Sequence, residues 1–158
     1  LMKPRKGAEV AKISEKSLKD VLEVRRALEE LAIELACERM GQEAVRNLTE
    51  ANGKFGEAVE AGDPMEIAEA DEHFHDIIYE GTENVRLIQL LNNLREQMYR
   101  YRLEYVKDVD KRQILLSEHE RILKAVRERK VDEAKCLMRE HIDNQEITVS
   151  RNIKGQEE

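Results

Sequence analysis

Apolar residues recur three, four and seven positions apart along nearly the whole chain, and side chains at those spacings lie over one another on one face of an α-helix. The first such stripe is Leu18, Val21, Leu22, Leu28, Leu31, Ala32 and Leu35, and others follow almost to the end. Little interrupts them, since the 158 residues include only 2 Pro and 7 Gly. Aromatic residues are 4% of the chain and charged ones 39%, a profile that argues against a β-sandwich or barrel. The length suits one compact domain. A chain of this size can bury roughly 68–70% of its unfolded surface, so neither disulfide nor metal is required to hold a core. Any metal would therefore point to function.

The formal charge is -7, from 27 Lys and Arg against 34 Asp and Glu, which argues against this domain itself gripping a phosphate backbone. A role on DNA requires a separate segment. No apolar run approaches the roughly 20 residues of a membrane span, and no signal peptide precedes the first helix, so the expectation is a cytoplasmic protein with no membrane partner. Cys37 and Cys136 stand far apart in helical stretches without metal-binding spacing, and are expected to be reduced, semi-buried core fillers.

Residues 1–16 begin with Lys3, Pro4, Arg5, Lys6 and Gly7, a basic and irregular composition that reads as a linker. The helical domain is expected over 17–150 and a polar tail over 151–158. Ser17, with Asp20 three residues on, resembles a capping box opening a first helix over 17–40. A second helix is predicted over 42–61, weakened by Gly53 and Gly56 at roughly 1 kcal/mol each relative to Ala. Asp63-Pro64 marks the start of a third over 64–80, because Asp can cap the free amides and Pro at the first position loses no hydrogen bond. After Gly81-Thr82 a long fourth helix runs to about Val106. A fifth carries Ile114, Leu115, Ile122, Leu123 and Val126, and a sixth carries Ala134, Leu137, Met138 and Ile142 up to about Val149. Long helices with short connections lie antiparallel to their neighbours, so the expected fold is all-α, an antiparallel bundle of about six helices.

The residues that violate the amphipathic pattern carry the most information. Asp71 and His75 share a face with Ile67, Phe74 and Ile78. His119 lies in a stripe with Leu115, Ile122 and Val126, and His141 in one with Ala134, Leu137 and Met138. The fourth histidine, His73, falls about 200° around its helix from that face and is expected in solvent. A single inward histidine has the ordinary explanation of a hydrogen-bonded core residue, but three with an inward aspartate do not. A buried carboxylate needs a cation or strong donors, and a divalent metal is the economical partner. Three imidazoles and one carboxylate suit Zn, Ni, Fe or Mn and leave positions for water or an anion.

Arg25 is also set among apolar neighbours, with Glu29 four residues on. It either pairs internally with Glu29 or presents its fork to the carboxylate of a small acid. Arg95 and Arg102, one heptad apart, are either solvated flanks or a source of positive potential for the same cavity. Asn84, just after the Gly81 break, is either a helix anchor or a ligand donor.

These residues together resemble a known family, the ligand-binding C-terminal (FCD) domain of the FadR subfamily of GntR-type transcriptional regulators, in its metal-binding form. The marks are Glu23-Val24-Arg25-Arg26-Ala27-Leu28-Glu29, Asp71-Glu72-His73-Phe74-His75, Asn84 after the break, Glu118-His119, and Ala134 ahead of His141-Ile142. The resemblance implies that Asp71, His75, His119 and His141 bind one divalent ion, with Zn, Ni and Mn as the candidates. It implies a small carboxylic acid effector beside the metal, with Arg25 and Arg102 as candidate contacts, to which its place in the sequence adds Asn84. It further implies a homodimer, and DNA binding only through a missing N-terminal winged helix-turn-helix whose last strand and linker Pro4 to Val10 resemble. Lys130-Val131-Asp132 departs from the Asp or Gly that many members place near the last helix start.

The competing class is a metal-dependent helical-bundle enzyme. A di-iron carboxylate protein needs two Glu-x-x-His motifs, and only Glu72-x-x-His75 is present. A mononuclear hydrolase needs a general base near a metal-bound water, and beyond Asp71 and Glu29 no inward acid offers one. The remaining alternative is a helical interaction module whose buried polar groups fix packing. The sensor reading, without enzymatic activity, accounts for more of the residues.

Overall fold

The structure, a computed structural model, describes residues 12–157. The basic stretch from Pro4 to Val10 lies outside the described residues. Seven α-helices follow in order: α1 (Glu15–Arg39), α2 (Gln42–Ala61), α3 (Pro64–Gly81), α4 (Val85–Asn93), α5 (Arg95–Val106), α6 (Arg112–Arg127) and α7 (Val131–Glu157), with a 3-10 turn at Val109–Lys111. Among the described residues there is no strand, as the helical spacing requires.

Most starts and stops have a local cause. Asp63 accepts from the Glu66 amide at 3.2 Å with Pro64 in the first turn, as predicted. The cap predicted at Ser17 falls three residues earlier, where Ser14 Oγ accepts from the Ser17 amide at 3.1 Å. Helix α2 runs unbroken through Gly53 and Gly56 because Leu48, Phe55 and Val59 bury its inner face, and it stops at Gly62 in the left-handed region, φ 88°. Gly81 is required by a close approach: a Cβ there would lie 2.4 Å from Met40 Cγ at the end of α1.

Two expectations are corrected. The predicted fourth helix is two helices, α4 and α5, which meet at Leu94 with ψ 2° and a tightened bond from the Leu94 amide to the Leu91 carbonyl, 3.0 Å. No Gly or Pro marks this point, and the apolar stripe resumes in phase beyond it, so the break leaves no trace in the spacing. The last helix does not end near Val149 but continues to Glu157, because Val149 and Ile153 extend the buried stripe past the polar residues around them.

Helix α3 packs against α1, α2 and α5, while α7 packs most extensively on α1 and also on α5 and α6. The inward faces of α3, α6 and α7 thus meet in the interior, and Phe55, Phe74, Leu115, Ile122, Met138 and Ile142 are among the buried residues around them. Cys37 is buried, which pushes its thiol up to about 11, and Cys136 is exposed rather than semi-buried; neither forms a disulfide. Among the described residues no helix is long and apolar enough to cross a membrane.

Candidate metal centre

Asp71 and His75 stand on successive turns of α3, His119 reaches in from α6 and His141 from α7. All four are sealed from solvent, with relative exposures of 0%, 0%, 0% and 1%. Each offers one ligating atom, and those four atoms lie within 4.8 Å of one another. The Asp71 Oδ1 atom is 3.0 Å from His119 Nε2 and 3.3 Å from His75 Nε2, yet neither contact has hydrogen-bond orientation. Both Asp71 oxygens, both ring nitrogens of His75 and of His119, and Nε2 of His141 are buried without a hydrogen-bond partner. Buried polar atoms are nearly always paired, so this concentration of orphans needs an explanation. Aromatic walls fix the rings: His119 stacks on Phe74 at 4.1 Å and 5°, and His75 lies nearly parallel to His141 at 5.2 Å. The donor set and its spacing could hold a divalent ion.

A charged layer lies behind this cluster. Arg25 is fully buried; its Nε donates to Glu29 Oε2 at 3.0 Å, and Nη1 donates to Gln145 of α7. The Tyr79 hydroxyl donates to the same Glu29 oxygen at 2.8 Å. Arg102 of α5, also buried, brings Nη2 to 3.5 Å from the Tyr79 hydroxyl and Nε to 3.6 Å from Asp71 Oδ2. Arg25 Nη2, Arg102 Nε and Gln145 Nε2 are donors without an acceptor. Arg25 thus takes the internal pairing predicted for it and still has donor capacity to spare.

The other sequence candidates fall elsewhere. Arg95 belongs to the flank, paired with Asp76 at 2.7 Å and Glu72 at 3.3 Å. Asn84 takes the anchoring role, its Oδ1 accepting from the Leu87 amide at 3.1 Å to cap α4. His73 is exposed, as expected. Three buried polar residues were missed as members of the site: Tyr79, Glu118 and Gln145. Each had a signal in the spacing, since Tyr79 lies four residues past His75, Gln145 four past His141, and Glu118 three past Leu115 and four before Ile122.

Burial alone would raise the Asp71 carboxyl, but His119, His75 and Arg102 outweigh it and hold it well below the usual carboxylate range. Burial likewise opposes the Glu29 charge, and His75, Arg25 and Arg102 reverse the balance to bring it below the ordinary value. Burial pushes His119 down to about 4, against the pull of Asp71. The metal-stripped protein should therefore lose stability in acid. Between the ordinary histidine value of about 6.5 and about 4, the unfolded chain takes up the His119 proton before the folded one does, so stability falls as pH falls through that window. Below it, protonation of the lowered carboxylates continues the loss. The His119 shift alone corresponds to something of the order of 3 kcal/mol, and chemical denaturation at pH 7 and pH 4.5 should show a clear drop; equal midpoints would contradict it.

A helical bundle that brings Asp71 and three imidazoles together in its interior, with two buried arginines behind them, has a core that could hold a divalent ion. The chain belongs to the FCD domain family, which matches residues 20–144. It is 25% identical over 142 residues to the HTH-type transcriptional regulator YdhC of Bacillus subtilis, and this match covers 89% of the chain but 63% of that relative's length. Among solved structures, McbR/YncC of E. coli superposes with a TM-score of 0.82 at 18% identity, over 90% of this chain and 72% of that one. GntR of Streptococcus agalactiae gives 0.72 at 25% identity, over 92% and 66%. The metal-free FCD domain of TM0439 gives 0.76 at 18% identity, over 92% and 99%. The chain is thus similar to transcriptional regulators over most of its own length and spans less than two thirds of the curated relative.

Proposed function

We propose that this chain is the effector-sensing domain of a GntR-type transcriptional regulator of the FadR subfamily, holding one divalent ion at Asp71, His75, His119 and His141 with a small carboxylic acid beside it. The observation that carries the reading is the set of four convergent, fully buried ligating atoms whose polar neighbours leave them without hydrogen bonds. Zn, Ni and Mn all suit three nitrogens and one oxygen. When bound, such an ion supplies positive charge at which an acid oxygen can sit. The chain's own residues do the rest: Arg25 Nη2, Gln145 Nε2 and Arg102 Nε offer unpaired donors to a carboxylate, and Glu29 and Tyr79 hold the two guanidinium groups in place. Phe74 and Phe55 keep water from the His119 ring.

DNA contact would belong to an N-terminal winged helix-turn-helix joined through the residues ahead of α1, with the acidic bundle keeping off the phosphates. A homodimer fits the apolar strip of α1, where Val24 and Leu31 are 51% and 42% exposed beside the partly buried Leu28 and Leu35. The family match and the regulator relative support a domain that acts by binding rather than by turnover.

Elemental analysis of untagged protein, loaded in turn with Zn, Ni and Mn and then desalted, tests the metal. About one ion per chain is expected, followed by a rise in melting temperature with some member of a panel of small carboxylic acids, since a ligand that binds only the folded state stabilises it. No retained metal under any loading condition would end the metal reading. Turnover of generic esters or phosphates would favour the hydrolase alternative.

A further inference from the structure

Of the three buried histidines, His141 alone has a carboxylate within hydrogen-bond distance of the ring nitrogen that faces away from the cluster. Glu118 Oε1 lies 2.9 Å from His141 Nδ1, and Glu118 Oε2 accepts from Asn144 Nδ2 at 2.6 Å. Glu118 is itself 4% exposed, so a charged side chain has been taken into the interior and tied at both oxygens. On the other two rings the outward nitrogens lack such a partner: His119 Nδ1 has none, and His75 Nδ1 stands 3.8 Å from Glu29 Oε1, too far for a bond. A carboxylate can only accept, so the proton of a neutral His141 belongs on Nδ1 and the Nε2 lone pair is left pointing among Asp71, His75 and His119. Nε2 of His141 is the atom that has no hydrogen-bond partner.

We infer that Glu118 is a positioning residue for the centre: it fixes His141 in the Nδ1–H tautomer and orients the ring, with Asn144 fixing Glu118. The inference rests on the metal reading above. Two consequences follow from general chemistry. A negative charge behind an imidazole raises the ring's basicity and so strengthens its bond to a cation, and loss of such an outer partner costs about 10- to 100-fold in metal affinity. The i, i+3 spacing of His141 and Asn144 on α7 places both donors over one another, so a single carboxylate from α6 can receive both. Glu118 therefore joins α6 to α7 at the same point at which His119 and His141 converge.

The test uses Glu118→Gln, which keeps the shape and removes the charge, with Asn144→Ala as a second variant that leaves the His141 pair intact. Two quantities are read: affinity for Zn or for spectroscopically visible Co by competition with a chelator, and the His141 tautomer from ring nitrogen shifts in metal-free protein. Glu118→Gln should bind metal about 10- to 100-fold more weakly and lose the pure Nδ1–H tautomer. Asn144→Ala should keep that tautomer and lose only a few-fold in affinity, a split that a purely structural role for Glu118 would not produce. Wild-type affinity together with an unchanged tautomer in Glu118→Gln would overturn the inference. A wild-type chain that holds no metal would instead end the metal reading, and the tautomer in metal-free protein would still decide whether Glu118 fixes His141. Should Glu118→Gln not fold, Asn144→Ala decides alone: affinity equal to wild type would overturn the role given to the Asn144–Glu118–His141 chain.

Discussion

Divalent-ion binding by His119→Ala is expected to fall by more than the about 10- to 100-fold that loss of an outer partner costs, because a direct ligand is removed from a set of four. The bundle should still fold. His119 sits between Phe74 and Phe55, so truncation opens a gap and lowers the melting temperature, but the helices around it are held by many other buried residues. Circular dichroism reads the helices and competition with a chelator reads the metal. His73→Ala, inside the Asp71–His75 motif yet exposed, is the matching control and should bind as the wild type does. Full affinity in His119→Ala would remove that residue from the site.

Arg25→Ala should produce the largest loss of stability of any single substitution in the charged layer. It leaves the fully buried Glu29 with the Tyr79 hydroxyl as its remaining hydrogen-bond donor, and breaking a buried ion pair from one side costs about 3–5 kcal/mol. At about 2–4 °C per kcal/mol for a domain of this size, the melting temperature should fall by roughly 6–20 °C. The double variant Arg25→Met with Glu29→Leu removes both charges, and should recover most of the loss, because apolar replacements of similar volume are often neutral where a half-pair is not. A single variant that melts within a degree or two of wild type would show that the pair contributes little. A double variant no better than the single would place the cost in packing.

The four candidate ligands were legible because helical spacing assigns each to an inward face, and an aspartate or histidine among Ile67, Phe74, Leu115 and Met138 is conspicuous. Arg25 was legible for the same reason. What spacing could not deliver was direction around the edge of a stripe. Arg95 and Arg102 are one heptad apart, yet one pairs with Asp76 at the surface and the other reaches Asp71 in the interior. Glu118 stood in register with Leu115 and Ile122, but its pairing could not be read from that spacing, since its partners His141 and Asn144 come from another helix. The Leu94 break was hidden because a tightened turn needs no Gly or Pro and the stripe resumes beyond it. The helical extension to Glu157 was hidden by polar neighbours, although Val149 and Ile153 keep the same period as Ile142.

Helix α7 has one further property. It carries His141 and Gln145 at the centre of the molecule, and one end lies beside the first turn of α1, where Ser150 Oγ is 3.3 Å from Glu15 Oε1 and Lys154 Nζ is also 3.3 Å from it. From His141 to Lys154 is about 20 Å along an unbroken helix. The helix runs without a break from the candidate ligand to the contacts with Glu15, so one element carries both. The start of α1 is thereby held by the same helix that brings His141 and Gln145 into the interior.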